Sequence, residues 1–418
     1  MTPDRTRLIA AWLDARWSGL RLRTPADVVA RQTRLWRRMV PVVARTPAIA
    51  ALAGQPLDRF PVVSPETLRQ DFDRWNTVGL SLEETEAAAR SSEAGGSGEV
   101  RPGVVAGLSS GSSGHPGLFV SSADERAGYL GHILARLLPV DALVRPTRIA
   151  LCLRADNRLY GDVGKAGPFH FLFIGLDVSA AERFERLQGF APHVLIAPSH
   201  VLADLARCDA GVDRWPLRRL FYGAEPMGEA ERDWIGAALG IRPDPIYQAT
   251  EGFLGAPCRL GTLHLNEDVL IVERDPVPGT NRFVPIVTDL RRRTQPMIRV
   301  RLPDLLEPLE RPCPCGSPLT PVHPIEGRLE DLWRWPGVVI PPREVEATIS
   351  AALGPGRDWR ATACRTGVTI EVSPELIDLA ETTLDALLAR HGLSLPVDAS
   401  ELTGLTTVKR RRVRWTDG

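Results

Sequence analysis

Apolar residues recur along this chain with two different periods, and the switch between them divides it. In LIAAWLDARW (8–17) and ADVVARQTRLWRRMVPVVA (26–44) they fall every three or four residues, which predicts helices through most of the first 75 residues. Residues 80–104 shift to Glu, Ala, Ser and Gly and read as ending in a mobile loop. Beyond them, continuous apolar runs at RIALCL (148–153), HVLIAP (193–198) and RRLFYG (218–223) predict buried strands. Helical runs follow two of them, SHVLADLARC (199–208) and MGEAERDWIGAAL (227–239). That alternation predicts a mostly parallel sheet covered by helices. From about residue 260 the pattern turns β-rich, in TLHLNEDVLIVERD (262–275) and NRFVPIVTDL (281–290). After IEGRLEDLW (325–333), the pieces VEATISAAL, VTIEVS and ELIDLAETTLDALLARHG suit a small α+β unit. The expected fold is therefore α/β, with a large N-terminal domain over 1–326 that carries a β-rich subdomain, and a small α+β domain over 327–418.

Composition narrows the function classes. The 51 basic and 51 acidic side chains cancel, so net charge gives no reason to expect nucleic acid or an anionic membrane as partner. No run of about 18 apolar residues predicts a membrane span, and the charged start MTPDRTRLIAAWLDARW does not read as a signal peptide. Six cysteines in 418 residues do not make a disulfide framework, so a cytoplasmic setting is expected. Cys152, Cys208 and Cys364 read as buried thiols. Only two residues are lysines, Lys165 and Lys409, which leaves few candidates for chemistry that needs an ammonium.

One loop is unusual. Residues 107–117, GLSSGSSGHPG, hold four glycines and four serines. They could form a linker, a nucleophile turn or a phosphate cradle. Gly107-Leu-Ser109-Ser-Gly111 matches G-x-S-x-G, whose serine must sit on a turn entering a helix, yet the Gly and Pro that follow oppose a helix. No Walker A sequence occurs. Repeated glycine nonetheless lets backbone amides approach an anion, and serine hydroxyls add donors.

At Ser109-Ser-Gly-Ser-Ser-Gly-His-Pro116 the chain resembles the phosphate loop of the adenylate-forming enzymes, in their phenylacetate–CoA ligase-like branch. The resemblance continues in that family's order. Gly223, Ala224, Glu225 and Pro226 are similar to the loop bordering adenine, and Tyr247-Gln-Ala-Thr-Glu251 to the Y-G-x-T-E segment. His264-Leu-Asn-Glu-Asp268 resembles H-x-x-E-D, and Gln295 to Asp304 resembles P-x-I-R-Y-R-x-x-D-L. Gly327-Arg-Leu-Glu-Asp331 resembles the G-R-x-D-D hinge, with Gly337 to Glu346 after it, and Val408-Lys409 the terminal G-K. His115, Glu330 and Val408 depart from the family's usual residues.

The resemblance implies an acid–thiol ligase using ATP and Mg²⁺, with coenzyme A or the phosphopantetheine of an acyl carrier protein as acceptor. It implies that Ser109, Ser110, Gly111, Ser112, Ser113 and Gly114 hold phosphate, that Tyr247 stacks on adenine, and that Asp304 takes the ribose hydroxyls with Arg328 nearby. Thr250, Glu251 and Lys409 then form the catalytic set, Glu251 as the magnesium ligand and Lys409 reaching the α-phosphate and the substrate carboxylate. Taken outside that pattern, Tyr247 reads as a core residue, Asp304 and Arg301 as surface charges, and VKRRRVRW (408–415) as a basic solvated strand or nucleic-acid patch. The zero net charge and lack of interleaved aromatics oppose the patch.

Two further features bear on partners. Cys258, His264, Cys313 and Cys315 supply four ligands of the type zinc binds tetrahedrally, or else pack as reduced thiols in a turn. Phe169, His170 and Phe171 lie where the family places part of its acyl pocket, which suggests an aromatic carboxylic acid; a plain core reading is equally open. The oligomeric state is open, a homodimer included. The alternatives to a ligase are a serine hydrolase using Ser109 and a noncatalytic nucleotide-binding relative.

Overall fold

A computed structural model describes residues 5–93, 95–108, 117–143, 145–153, 169–208, 215–403 and 410–417. At its centre is a five-stranded parallel sheet in the order Phe169–Gly175, Thr147–Leu153, Val194–Ala197, Arg219–Tyr222, Asp244–Pro245. Alternation along one strand explains why it is covered on both faces. Ile149 and Leu151 pack with Trp12, Leu130, Ile133 and Phe221 under the helices Arg5–Arg21 and Ala123–Leu137. Ala150 and Cys152 face the other way, joining Leu187, Leu202 and Ile235 from the helices Ala180–Phe190, Ser199–Arg207 and Glu229–Leu239. The parallel α/β expectation is met.

Three antiparallel sheets flank this layer. One pairs Glu99–Arg101, Val104–Leu108 and Leu118–Ser122; a second runs Pro321–Val322, Leu263–Leu265, Gly252–Pro257, Tyr247–Ala249; a third pairs Leu270–Pro276, Phe283–Asp289 and Val300–Arg301. The residues after 332 gather a core of their own, Trp333, Ile340, Ile349, Ala361, Ile370, Leu384 and Val413 among them. Its sheet has the order Val397–Glu401, Val368–Val372, Arg360–Ala363, Val413–Trp415, backed by the helices Pro342–Leu353 and Ile377–Arg390.

Two readings of the sequence are corrected. The stretch 80–104, read as ending in a mobile loop, opens with the helix Leu82–Glu93, because its Glu and Ala are strong helix formers and Thr85 and Ala89 are buried beneath it, and ends in the strand Glu99–Arg101 and the start of Val104–Leu108. Ser81 caps it reciprocally, taking the Glu84 N–H on its hydroxyl while Glu84 accepts the Ser81 N–H. Among the three cysteines read as buried, Cys208 is exposed and Cys364 half-buried, since each sits at the end of an element rather than inside it. No helix among the described residues is long and apolar enough to cross a membrane.

Candidate functional site

Strands Tyr247–Ala249 and Gly252–Pro257 pair with Ala249 opposite Gly252, so Thr250 and Glu251 form the two-residue tip of a hairpin. Tyr247 is buried at its base and donates its hydroxyl to Asp304 Oδ2 over 2.7 Å. Asp304 is tied in turn by a backbone bridge to Arg328. Arg292 donates to the Thr250 carbonyl at 3.0 Å and fixes the tip. Burial, with Asp304 and Glu66 as like charges, outweighs the Glu251 backbone N–H and Arg292 and pushes the Glu251 carboxyl up to about 7. Burial, Asp304 and Glu251 raise the Tyr247 hydroxyl well above its ordinary value. The hairpin tip thus carries a buried carboxyl that resists ionisation, with a second carboxylate, Asp304, close by.

The loop after strand Arg219–Tyr222 approaches from the side. A Cβ on Gly223 would meet Ile246 Cγ1 at 2.8 Å, so the close approach to the neighbouring strand requires glycine. Ala224 has φ 66°, a left-handed backbone uncommon for a residue with a side chain and found most often where function fixes the geometry. Pro226 follows Glu225, whose carboxylate is buried and saturated. It accepts the Ser199 hydroxyl at 2.8 Å, the His200 backbone N–H at 3.2 Å and the Arg410 backbone N–H at 2.6 Å, and it contacts His200 Nδ1 at 2.8 and 2.9 Å. Burial alone would raise this carboxyl, but His200, Arg410 N–H and Ser199 hold it below the usual carboxylate range.

Ser109 to Gly114, Lys165 and Lys409 lie outside the described residues, but their flanks are informative. Leu108 pairs antiparallel with Leu118, so residues 109–117 connect two strands of one hairpin, and the helix Ala123–Leu137 begins only after Ser122. A serine nucleophile elbow needs a strand running straight into a helix; among the described residues the first helix after Leu108 is Ala123–Leu137, beyond the strand Leu118–Ser122. After Lys409, Arg410, Arg411 and Arg412 are all engaged by carboxylates. Arg410 pairs with Glu231 and Asp358, each at 2.9 Å, and Arg412 with Glu231 at 2.8 Å. Arg411 pairs with Glu330 at 2.9 Å and with Asp331. Among the described residues of this basic run, Arg410, Arg411 and Arg412 are therefore paired and do not form a free cationic patch.

Around residues 327–331, the Arg328 N–H donates to Asp331 Oδ2 at 2.9 Å and its guanidinium lies 3.7 Å from Glu330. Gly337 turns the hairpin between Trp333–Trp335 and Val338–Ile340 with φ 77° and open space where a side chain would be. Phe169 to Phe171 sit on the edge strand of the parallel sheet: Phe169 is buried in the core, His170 exposed and Phe171 half-buried, the two rings 6.4 Å apart. Arg301 pairs with Asp275.

The cysteine–histidine set comes together. The ligand atoms of Cys258, His264, Cys313 and Cys315 all lie within 4.8 Å of one another. Cys258 Sγ is 3.9 Å from Cys313 Sγ, and Cys315 Sγ is 3.5 Å from His264 Nε2. A tetrahedral zinc site requires about 3.8 Å between sulfurs and about 3.6 Å between sulfur and nitrogen, so the spacing fits. His264 Nδ1 is held by the Leu319 carbonyl at 2.8 Å, which leaves Nε2 facing the cluster. Leu260 and Ser317 N–H groups donate to Cys258 and Cys315 sulfur, each at 3.4 Å, on two turns closed by Gly261 and Gly316 at positive φ.

Sequence reasoning missed Ser199, His200, Glu231 and Arg292. The only local signal was Ser199-His200 at the start of a helix following a strand, a usual place for anion contacts.

No protein-family model matches the chain. It is 28% identical over 181 residues to the phenylacetate-coenzyme A ligase of Thermus thermophilus, covering 40% of this chain and 40% of that relative. The crystal structure of a 2-hydroxyisobutyryl-CoA ligase in its postadenylation state aligns with a TM-score of 0.66 at 19% identity, covering 94% of this chain and 89% of that one. The same enzyme in its thioesterification state aligns at 0.52 and 18% identity, covering 99% and 90%. These structures establish the fold. The motifs stand in the order of the adenylate-forming superfamily, and the stretch shared with phenylacetate-coenzyme A ligase spans 40% of that relative's length.

Proposed function

We propose that this chain is an AMP-forming acid–thiol ligase. A carboxylate oxygen attacks the α-phosphorus of ATP, pyrophosphate leaves, and a thiol of coenzyme A or of a carrier protein's phosphopantetheine then displaces AMP from the acyl carbon. The observation that carries this reading is the Tyr247–Asp304 pair, which places a hydrogen-bonded acceptor from residue 304 against the hairpin that carries Glu251, a carboxyl whose ionisation burial disfavours. Asp304 presents oxygens to the ribose hydroxyls, and Tyr247 fixes its rotamer. Glu251 suits magnesium because its ionised form is disfavoured until a cation arrives. The magnesium would neutralise charge on the phosphates.

With Glu225 saturated inside the protein, nucleotide contacts from residues 223–226 fall to the main chain, where Ala224 has its unusual backbone. The 109–114 loop is assigned to pyrophosphate and Lys409 to the developing charge at the α-phosphate, both by resemblance. The better alignment with the postadenylation than with the thioesterification state supports reading this arrangement as the adenylation side of a lid movement of residues 327–418. Zinc at Cys258, His264, Cys313 and Cys315 has a structural role, since four protein ligands leave no open position. Aryl acids head the candidate substrates because half-buried Phe171 and Phe173 pack in the same cluster as Phe253, two residues past Glu251.

The test is carboxylate-dependent ATP–pyrophosphate exchange over aryl and fatty acids, with Lys409→Ala in parallel. Exchange with one acid class, lost in the variant, is expected. ATP binding without exchange for any acid supports a noncatalytic relative, and absence of ATP binding overturns the nucleotide reading.

A further inference from the structure

We propose that Glu225, steadied by Ser199 and His200, is a positioning residue that docks the main chain at Arg410 for adenylation. This rests on the ligase reading above. The N–H that Glu225 accepts belongs to Arg410, and that N–H is part of the planar peptide unit whose other end is the Lys409 Cα. Holding it at 2.6 Å fixes the main chain at Arg410, the residue after the lysine that the resemblance assigns to catalysis.

The anchor is built to be rigid. The Glu225 side chain is 1% exposed, and it is fixed from below by a hydroxyl, a backbone N–H and an imidazole of residues 199–200 at the start of a helix. Arg410 is held a second time through its guanidinium on Glu231 and Asp358. Main chain and side chain of the residue adjoining Lys409 are thus both fixed, one to the 223–226 loop and the other to the helix after it.

These contacts join segments up to 185 residues apart and exist only in this arrangement of the two parts of the chain. When residues 327–418 rotate for thioester formation, the Glu225–Arg410 bond must break. Glu225 should consequently matter for making the adenylate and not for consuming it. A nucleotide-contacting role makes a different prediction, namely weaker ATP binding.

The experiment uses the full chain with Glu225→Ala and Glu225→Gln. Four quantities are read: ATP–pyrophosphate exchange, thioester formation from supplied acyl adenylate, the ATP dissociation constant, and deuterium uptake at the Arg410 amide. For Glu225→Ala, exchange should fall about 10- to 100-fold, the range for losing a hydrogen bond to a charged group. Thioester formation and ATP affinity should stay within about twofold while the Arg410 amide exchanges faster. Glu225→Gln keeps one carbonyl oxygen for that N–H, and His200 can present its other tautomer, so it should recover much of the loss. Equal loss in both half-reactions, weakened ATP binding with normal exchange at saturating ATP, or unchanged Arg410 protection overturns the proposal. If the wild type exchanges with no acid, the ligase reading fails and the catalytic role with it; the Arg410 amide then still decides the docking.

Discussion

The Tyr247 hydroxyl donates to the Asp304 carboxylate across 2.7 Å, joining two segments 57 residues apart at one end of a four-stranded sheet. The tyrosine that the family resemblance assigns to adenine stacking thereby also orients the aspartate assigned to ribose. Tyr247→Phe keeps the ring and removes that donor. ATP binding should weaken by about tenfold, in line with about 1.5 kcal/mol for a hydrogen bond to a charged acceptor, while Tyr247→Ala should cost more by removing the ring as well. Titration calorimetry checks both; equal affinity for wild type and Tyr247→Phe would exclude the orienting role.

The pair shows how far the sequence can be read. Apolar runs such as Ile149 to Leu153 are buried on both faces and announce the parallel sheet without knowledge of their neighbours. The side chains Cys258, His264, Cys313 and Cys315 are unusual enough as residue types to be grouped despite their separation. Glu225 is different. Its partners Ser199 and His200 lie 25 or 26 residues away and Arg410 lies 185 away, and nothing local distinguishes a saturated glutamate from one turned to a ligand. The arginines 410–412 were ambiguous for the same reason, because whether a basic run is solvated depends on carboxylates such as Glu231, contributed from far along the chain.

Glu251 sets a pH dependence. Its folded pKa of about 7 lies above the value of about 4.3 for an unfolded glutamate, so between those values the folded chain retains a proton that the unfolded chain has lost. The contribution to stability therefore falls as pH rises from about 4.3 through about 7 and is constant above, reaching on the order of 3 kcal/mol. Glu251→Gln does not titrate. It should melt near the wild type at pH 5 and higher than the wild type at pH 8, the gap opening between them. Thermal melts of both proteins in ligand-free buffer across that range test this, and a gap that does not change with pH would contradict it.

Glu231 carries two arginines at once, Arg410 at 2.9 Å and Arg412 at 2.8 Å, with its own side chain 1% exposed. Removing one partner of a buried ion pair costs about 3–5 kcal/mol, although Asp358 and Glu346 share part of the load here. Since residues 333–415 have a separate core, Glu231→Ala should release the contact without melting that core. Trypsin should cut at Arg410 to Arg412 at least about tenfold faster in the variant, tracking the opened population. Helical circular dichroism should be unchanged. Equal cleavage rates would mean that Glu231 does not hold the two parts together.

The cysteine–histidine cluster allows the sharpest separation of structure from catalysis. Strand Gly252–Pro257 runs from Glu251 to Cys258, about 23 Å at the usual rise per residue, so the cluster and the hairpin tip occupy opposite ends of one strand. Zinc at the cluster should brace the Cys258 and Cys313 turns and the strand Gly252–Pro257 that leads into the first of them, and leave the hairpin tip at Thr250 and Glu251 untouched. Elemental analysis should find one zinc per chain. Cys313→Ser, which replaces a thiolate by a poor zinc ligand, should lose metal and lower the melting temperature by several degrees. Below that temperature, ATP affinity should stay within about twofold of the wild type, as expected for sites this far apart. If Cys313→Ser retained both metal and thermal stability, the four residues would be reduced side chains packed in turns. If zinc loss abolished ATP binding in a chain that remained folded, the strand would be transmitting the change, and the structural assignment of the metal would fall.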